Sequence, residues 1–191
     1  MDYYQKCFEE YHERTFHVNP ESFLMPLVKK LKPGARILDI GCGSGRDLLW
    51  MKQRGFQVIG FERSPGLADL VRKNTGCEII QGDFESYDFS QFQADALVLI
   101  GAMVHVPHEK LSDVLGKVLK AVRPDGHLLV SLKQGKGKKE SPDGRIFYLW
   151  EDNELRRTFK KLKCRVSEYF VQVSSIGEND IWLGYVLEKT C

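Results

Sequence analysis

The stretch ILDIGCGSGRDLLWM, Ile37 to Met51, limits what this chain can fold into more than any other. Its apolar start reads as a buried strand, and RDLLWM carries the spacing of a helix. Between them Gly41, Gly43 and Gly45 alternate with other residues. Glycine there lets the backbone approach a ligand with no side chain in the way, whereas a tight turn alone would need only one or two. A strand, a glycine loop and a helix in that order belong to an α/β sheet, where ligands bind beyond the carboxyl ends of parallel strands.

The rest of the chain keeps that alternation. Ala35 to Ile40 is the first strand, introduced by Pro33-Gly34, with a helix from Arg46 to Arg54. Phe56 to Phe61 is the second strand, and Ser64-Pro65 caps a helix running to about Asn74. Cys77 to Gln81 and Ala94 to Ile100 are strands, the latter apolar throughout and suited to burial on both faces. Leu111, Val114, Leu115, Val118, Leu119 and Val122 recur at helical spacing until Arg123-Pro124-Asp125-Gly126 turns the chain into a strand from His127 to Leu132. Leu132 to Glu140, LKQGKGKKE, reads as a mobile, solvated loop. A helix in EDNELRRTFKKL and strands in VSEYFVQV and IWLGYVLEK, paired as a hairpin, close the sheet. Two helices, Asp2 to Arg14 and Pro20 to Leu31, precede the first strand.

Three carboxylates fall where consecutive strands should end. Asp39 lies one residue before the glycine loop, placed to act through it or on an ammonium group. Glu62 follows the second strand and could accept both hydroxyls of a ribose. Asp83 follows the third and could accept from an adenine amino group, with Phe84 offering its N–H and ring. Together they point to a nucleoside cofactor. Dinucleotide enzymes place G-x-G-x-x-G here, whereas this chain has G-x-G-x-G with an acid beside it, which a pyrophosphate would not favour.

The succession LDIGCGSG, GFERSP, QGDF, DALVLIGAMVHVP and VRPDGHLLVSL resembles class I S-adenosylmethionine (SAM) dependent methyltransferases, over about Ala35 to Lys133. The N-terminal YYQKCFEEYHERTF and the C-terminal DIWLGYVLEK resemble one bacterial branch of small methyltransferases. The resemblance implies a Rossmann-like, seven-stranded, mostly parallel sheet with helices on both faces and a C-terminal antiparallel hairpin. It implies one domain over 1–191: a helical lid over 1–32, a SAM core over 33–133 and an acceptor side over 134–191. It assigns Gly41, Gly43 and Gly45 to the methionine part of SAM, Glu62 to the ribose and Asp83 with Phe84 to the adenine. Cys42, Arg63 and Ile100 join the cofactor site, and Tyr3, Tyr4, Tyr11 and Thr15 the lid. Glu62 stands where Asp is usual and keeps the two acceptor oxygens.

SAM arrives with its methyl activated, so the protein must chiefly orient the acceptor. A hydroxyl or protonated amine also needs a base, and His105, after the fourth strand, is the candidate, with His108 weaker. Tyr4, Tyr11, Lys133, Arg145, Tyr148, Trp150 and Trp182 are candidates for the acceptor pocket, and cations with aromatics suit an anionic or planar acceptor.

Composition narrows the alternatives. Of the 191 residues 42% are hydrophobic and 28% charged, which argues against disorder, and a net charge of +2 without a long basic run argues against nucleic acid. Cys7, Cys42, Cys77, Cys164 and Cys191 lack metal or redox spacing and read as reduced thiols, which with a polar N-terminus and no span of ~20 apolar residues suggests a cytoplasmic protein. A small-molecule methyltransferase is the leading expectation. The alternatives are an RNA methyltransferase holding phosphates with Gly135 to Lys139, a catalytically silent SAM-binding module and, more distantly, an NAD-dependent oxidoreductase.

Overall fold

The computed structural model describes residues 3–174, 176 and 180–190, so the expectations placed on Asp2 and Cys191 lie outside the described residues. Three N-terminal helices, α1 (Tyr3–Lys6), α2 (Phe8–Phe16) and α3 (Glu21–Val28), precede an alternating run. That run is β1 (Arg36–Ile40), α4 (Arg46–Gln53), β2 (Gln57–Glu62), α5 (Pro65–Thr75), β3 (Glu78–Gln81), β4 (Ala94–Ile100), α6 (His108–Val118) and β5 (Val122–Lys133). After it come β6 (Lys138–Glu140), β7 (Ile146–Tyr148), α7 (Asp152–Lys161), β8 (Cys164–Val173) and β9 (Ile181–Lys189).

Seven strands form one sheet in the order β3-β2-β1-β4-β5-β9-β8. β9 runs antiparallel to both β5 and β8, and the pairs from β3 through β5 are parallel. This is the Rossmann-like sheet with an antiparallel C-terminal hairpin that the sequence led us to expect. The chain works outward from β1 to β3 and then returns to place β4 on the other side of β1, so a crevice opens at that switch point.

Side-chain alternation sends each central strand into two cores. Leu38, Ile40, Leu97 and Leu99 face α6 and α7, packing with Leu111, Leu115, Leu155 and Phe159. Ile37, Ala96 and Val98 face the other way, against Leu24 and Leu27 of α3 and Trp50 and Met51 of α4. Each fully buried leucine contributes about 2 kcal/mol by removal from water. That burial holds the strand ends, and so the crevice, in place.

Three local expectations are corrected. The first helix is interrupted at Cys7, giving α1 and α2. β5 begins at Val122 instead of His127: the Arg123–Gly126 stretch is a bulge within the strand, with Asp125 at φ 61° and the ladder shifting register between Ala94 and Ala96. The Leu132–Glu140 stretch is not a loop throughout. Leu132 and Lys133 are buried in β5, and Lys138–Glu140 pairs with Ile146–Tyr148 across the Ser141-Pro142-Asp143-Gly144 turn.

Candidate functional site

A cavity of about 480 Å³ lies over the carboxyl ends of β1, β2, β4 and β5. Its floor includes Gly41 and Gly43 of the glycine loop, its roof Tyr4 and Tyr11 of the N-terminal helices, and its far wall Arg145 and Phe147 of the β6–β7 hairpin. The size is in the range of small-molecule sites.

The glycine loop needs its glycines for separate reasons. Gly41 sits at φ 71°, and a Cβ there would lie 2.7 Å from the Cβ of Ala102, so the loops after β1 and β4 can close on each other only without one. A Cβ on Gly43, at φ 55°, would touch the Tyr11 ring at 3.3 Å. Gly45 does not border the cavity; its absent Cβ makes room for Val71 of α5.

Four of the loop's five N–H groups are already committed. Gly41 and Cys42 donate to the Phe61 carbonyl at 2.8 and 3.2 Å, Gly43 donates to Glu62 Oε2 at 2.9 Å, and Gly45 donates to the Cys42 carbonyl at 2.9 Å. A phosphate cradle works the other way, presenting such donors to the ligand. Here Asp47 occupies the first turn of α4, joined to Arg46 at 2.7 Å, and the buried Asp39 and Glu62 lie close by. Asp39 Oδ2 has no hydrogen-bond partner among the described residues. Burial pushes the Asp39 carboxyl well above the usual carboxylate range, Asp47 and Glu62 adding to the effect and Arg46 opposing it. Buried, under-partnered carboxyls favour a cationic ligand group and disfavour a pyrophosphate.

Glu62 ends β2 and borders the cavity while tethering the loop. Oε1 accepts the Ser64 N–H at 2.8 Å and Oε2 the Gly43 N–H, and burial nonetheless pushes its carboxyl up. The Arg63 N–H also favours the ionised carboxylate, and the two oxygens together keep acceptor capacity beyond these bonds. Cys42, Arg63, Phe84 and Ile100 also border the cavity. Burial pushes the Cys42 thiol up, so it stays protonated, and its side chain turns toward Gly60. Asp39 lies behind the loop, outside the lining. Asp83 is also off the lining: it accepts the Glu85 N–H at 2.9 Å and faces Arg63 at 3.7 Å.

At the other end a short helical turn, Met103–His105, follows β4. His105 Nδ1 lies 2.6 Å from the Ile146 carbonyl and Nε2 lies 2.9 Å from the Tyr4 hydroxyl. Burial lowers the His105 pKa, as do Arg145, Lys133 and Arg63, so the ring is neutral at neutral pH. Lys133 Nζ pairs with Asp180 at 2.5 Å and stands 3.8 Å over the Phe147 ring. Arg145 pairs with Asp143 at 2.6 Å and lies 4.0 Å over Tyr3. Trp182 borders the same end.

Tyr148 departs from the acceptor pocket. In β7 only Phe147 faces inward, so Tyr148 turns to the His108 ring, and Trp150 is buried beneath that histidine. Phe147, Lys139, Asp143 and Asp180 border the cavity and were not singled out from sequence. The SPDG turn between short flanking runs was the missed signal for the first three. Asp180 had none, since its place follows from the pairing of β9 with β5.

Residues 37–126 match the family model described as a methyltransferase domain. A 24-methylenesterol C-methyltransferase 2 of Oryza sativa subsp. japonica is 34% identical over 50% of this chain and 28% of its own length. A protein-L-isoaspartate O-methyltransferase of Methanoculleus marisnigri is 33% identical over 56% of this chain and 52% of its own. The chain thus spans from about a quarter to half the length of these relatives. The crystal structure of a Burkholderia thailandensis 1,6-didemethyltoxoflavin-N1-methyltransferase, with 1,6-didemethyltoxoflavin and S-adenosylhomocysteine bound, superposes with a TM-score of 0.75 at 16% identity. That match covers 98% of this chain and 84% of the other.

Proposed function

We propose that this chain, a class I SAM-dependent methyltransferase by its fold and domain match, binds SAM in the 480 Å³ cavity and methylates a small, planar, anionic acceptor. The observation that carries the donor half is the glycine loop with four of its five N–H groups committed and buried carboxyls gathered around it. That arrangement suits a cofactor with a sulfonium and an ammonium group and opposes the pyrophosphate of NAD.

In this reading the loop from Gly41 to Gly45 holds the methionine part with Asp39 acting from behind it. Glu62 takes the ribose hydroxyls with its remaining lone pairs. Phe84, Arg63 and Ile100 flank the nucleoside, and Asp83 positions Arg63. Bound SAM supplies a methyl already activated on sulfur. The chain then orients the acceptor beside the Phe147 ring and the cations Lys133 and Arg145, with Trp182 and Tyr11 as further walls. Residues 1–32 act as a lid, residues 33–133 form the cofactor core, and residues 134–191 complete the acceptor side.

A small acceptor is favoured over RNA because a cavity of about 480 Å³ is in the range of small-molecule sites. Among the described residues no helix is long and apolar enough to cross a membrane.

Titration calorimetry tests the donor: SAM and S-adenosylhomocysteine should bind and NAD should not. Comparable binding of NAD would overturn the assignment. The cationic donor stabilises the ionised forms of Asp39 and Glu62, lowering their raised pKa values, so binding should release protons and strengthen as pH rises above the usual carboxylate range. Asp39→Asn keeps the shape and removes the charge. It should weaken SAM binding about tenfold, ~1.4 kcal/mol, and abolish much of that pH dependence. A salt-sensitive affinity for RNA would reverse the choice of acceptor.

A further inference from the structure

We infer that the Tyr4 hydroxyl is the group that meets the acceptor and that it passes the acceptor's proton to Nε2 of His105. The inference rests on the methyl-transfer reading above and deepens it. It starts from a fixed tautomer. The Ile146 carbonyl can only accept, so the 2.6 Å contact puts the ring proton on Nδ1. Nε2 is then a lone pair, and the Tyr4 hydroxyl at 2.9 Å donates to it. With both ring nitrogens engaged, His105 reaches an acceptor in the cavity through Tyr4.

Tyr4 is held for this part. Its backbone carbonyl accepts the Ser64 hydroxyl at 2.9 Å, and its ring stands edge-on to Tyr3 and Tyr11. Arg145 Nη1 approaches its oxygen at 3.5 Å. The charged groups facing the pair are Arg145, with its partner Asp143, Lys133 and Arg63 around His105, and Glu62 toward Tyr4. Burial raises the Tyr4 pKa and lowers that of His105, so at neutral pH the phenol keeps its proton and the imidazole is free to take one. A buried phenol of this kind is a relay and a poor phenolate base.

The acceptor X–H bond breaks and its proton bonds to the Tyr4 oxygen, while the Tyr4 O–H proton moves to Nε2 and leaves an imidazolium. The X–H pair remains on X, a lone pair of X forms the X–CH₃ bond, and the C–S pair stays on the departing sulfur. This device serves an acceptor that must lose a proton from oxygen or nitrogen, and a thiolate has no use for it. The substrate class is therefore a hydroxyl or amino compound.

Nitrogen-15 correlation spectra of the full chain, labelled at histidine, read the tautomer directly. His105 should show a protonated Nδ1 and a bare Nε2 at pH 7; the reverse overturns the inference without any variant. Tyr4→Phe keeps the ring, its thermal midpoint reports folding, and loss of the donor should move the His105 titration to higher pH. An unmoved titration counts against the relay. With tritiated SAM and 3-hydroxy-, 3-amino- and 3-mercaptobenzoate as probes, Tyr4→Phe should lower kcat at least ~10²-fold on the first two, with the KM for SAM little changed and the thiol unaffected. Equal loss on all three would show a merely structural role. No label on any probe from the unsubstituted protein would count against the planar, anionic acceptor, while the spectra still decide the proton route.

Discussion

Gly41→Ala should destabilise the fold by roughly 2–4 kcal/mol and weaken SAM binding at least ~100-fold. Part of the cost is conformational, about 1–2 kcal/mol for a left-handed residue with a side chain. The rest is contact. The new Cβ would lie 2.7 Å from the Cβ of Ala102, an atom fixed to the backbone that no rotamer change can move. The loops after β1 and β4 must then separate at the switch point where the cofactor is proposed to lie. Gly34→Ala is the control, because Gly34 has nearly the same φ, 74°, and nothing within 4 Å of its ideal Cβ. Denaturant unfolding of both variants separates strain from contact. Equal losses would show that the close approach of the two loops carries no energy.

Glu62→Ala should cost about 2–4 kcal/mol in stability and reduce SAM affinity at least ~100-fold. The stability loss comes from two N–H groups, Ser64 and Gly43, left without their acceptors in a dry environment. The affinity loss comes from the ribose acceptors and from a glycine loop no longer tied to the end of β2. Glu62→Gln keeps the size but turns an amide NH₂ toward one of those donors, so it should fall between the two, with SAM bound about tenfold more weakly. Calorimetry beside unfolding distinguishes the roles. Unchanged SAM affinity in Glu62→Ala would reduce this residue to a tether.

On the proposed proton route, the pH dependence of turnover follows from His105. A base with a lowered pKa is lost to protonation only as pH falls below the usual histidine range, so kcat should be level near neutrality and fall on the acid side. Because burial is the leading cause of that shift, a substitution that opened the lid to water should move the acid limb upward.

The order of strands, the glycine loop and the pairing of the last two strands were legible in the sequence because each has a local cause. Continuous apolar runs such as ALVLI must be buried on both faces, and three alternating glycines need a backbone reason. Ser64-Pro65 announces a helix start, and Ser64 indeed caps α5. The errors were local too, but set by distant partners. The RPDG segment looks like a turn and becomes part of β5 because Val122 finds Ala94 across the sheet. The lysine-rich stretch looks solvated and is half structured because Lys138–Glu140 has a strand to meet after the SPDG turn.

Sequence by itself determined the class of fold and the kind of cofactor loop, since periodicity, glycine and proline act within a few residues of where they stand. Tertiary structure alone decided what faces the cavity. It turned Phe147 inward and Tyr148 out, brought Asp180 onto Lys133 across a strand pairing, and set Tyr4 against His105, 101 residues further along the chain. It also showed that the N–H groups of Gly41, Cys42, Gly43 and Gly45 are committed to Phe61, Glu62 and Cys42, so that the loop turns most of its donors away from a ligand. Contacts between residues so far apart in sequence depend on how the sheet closes, and no local pattern encodes them.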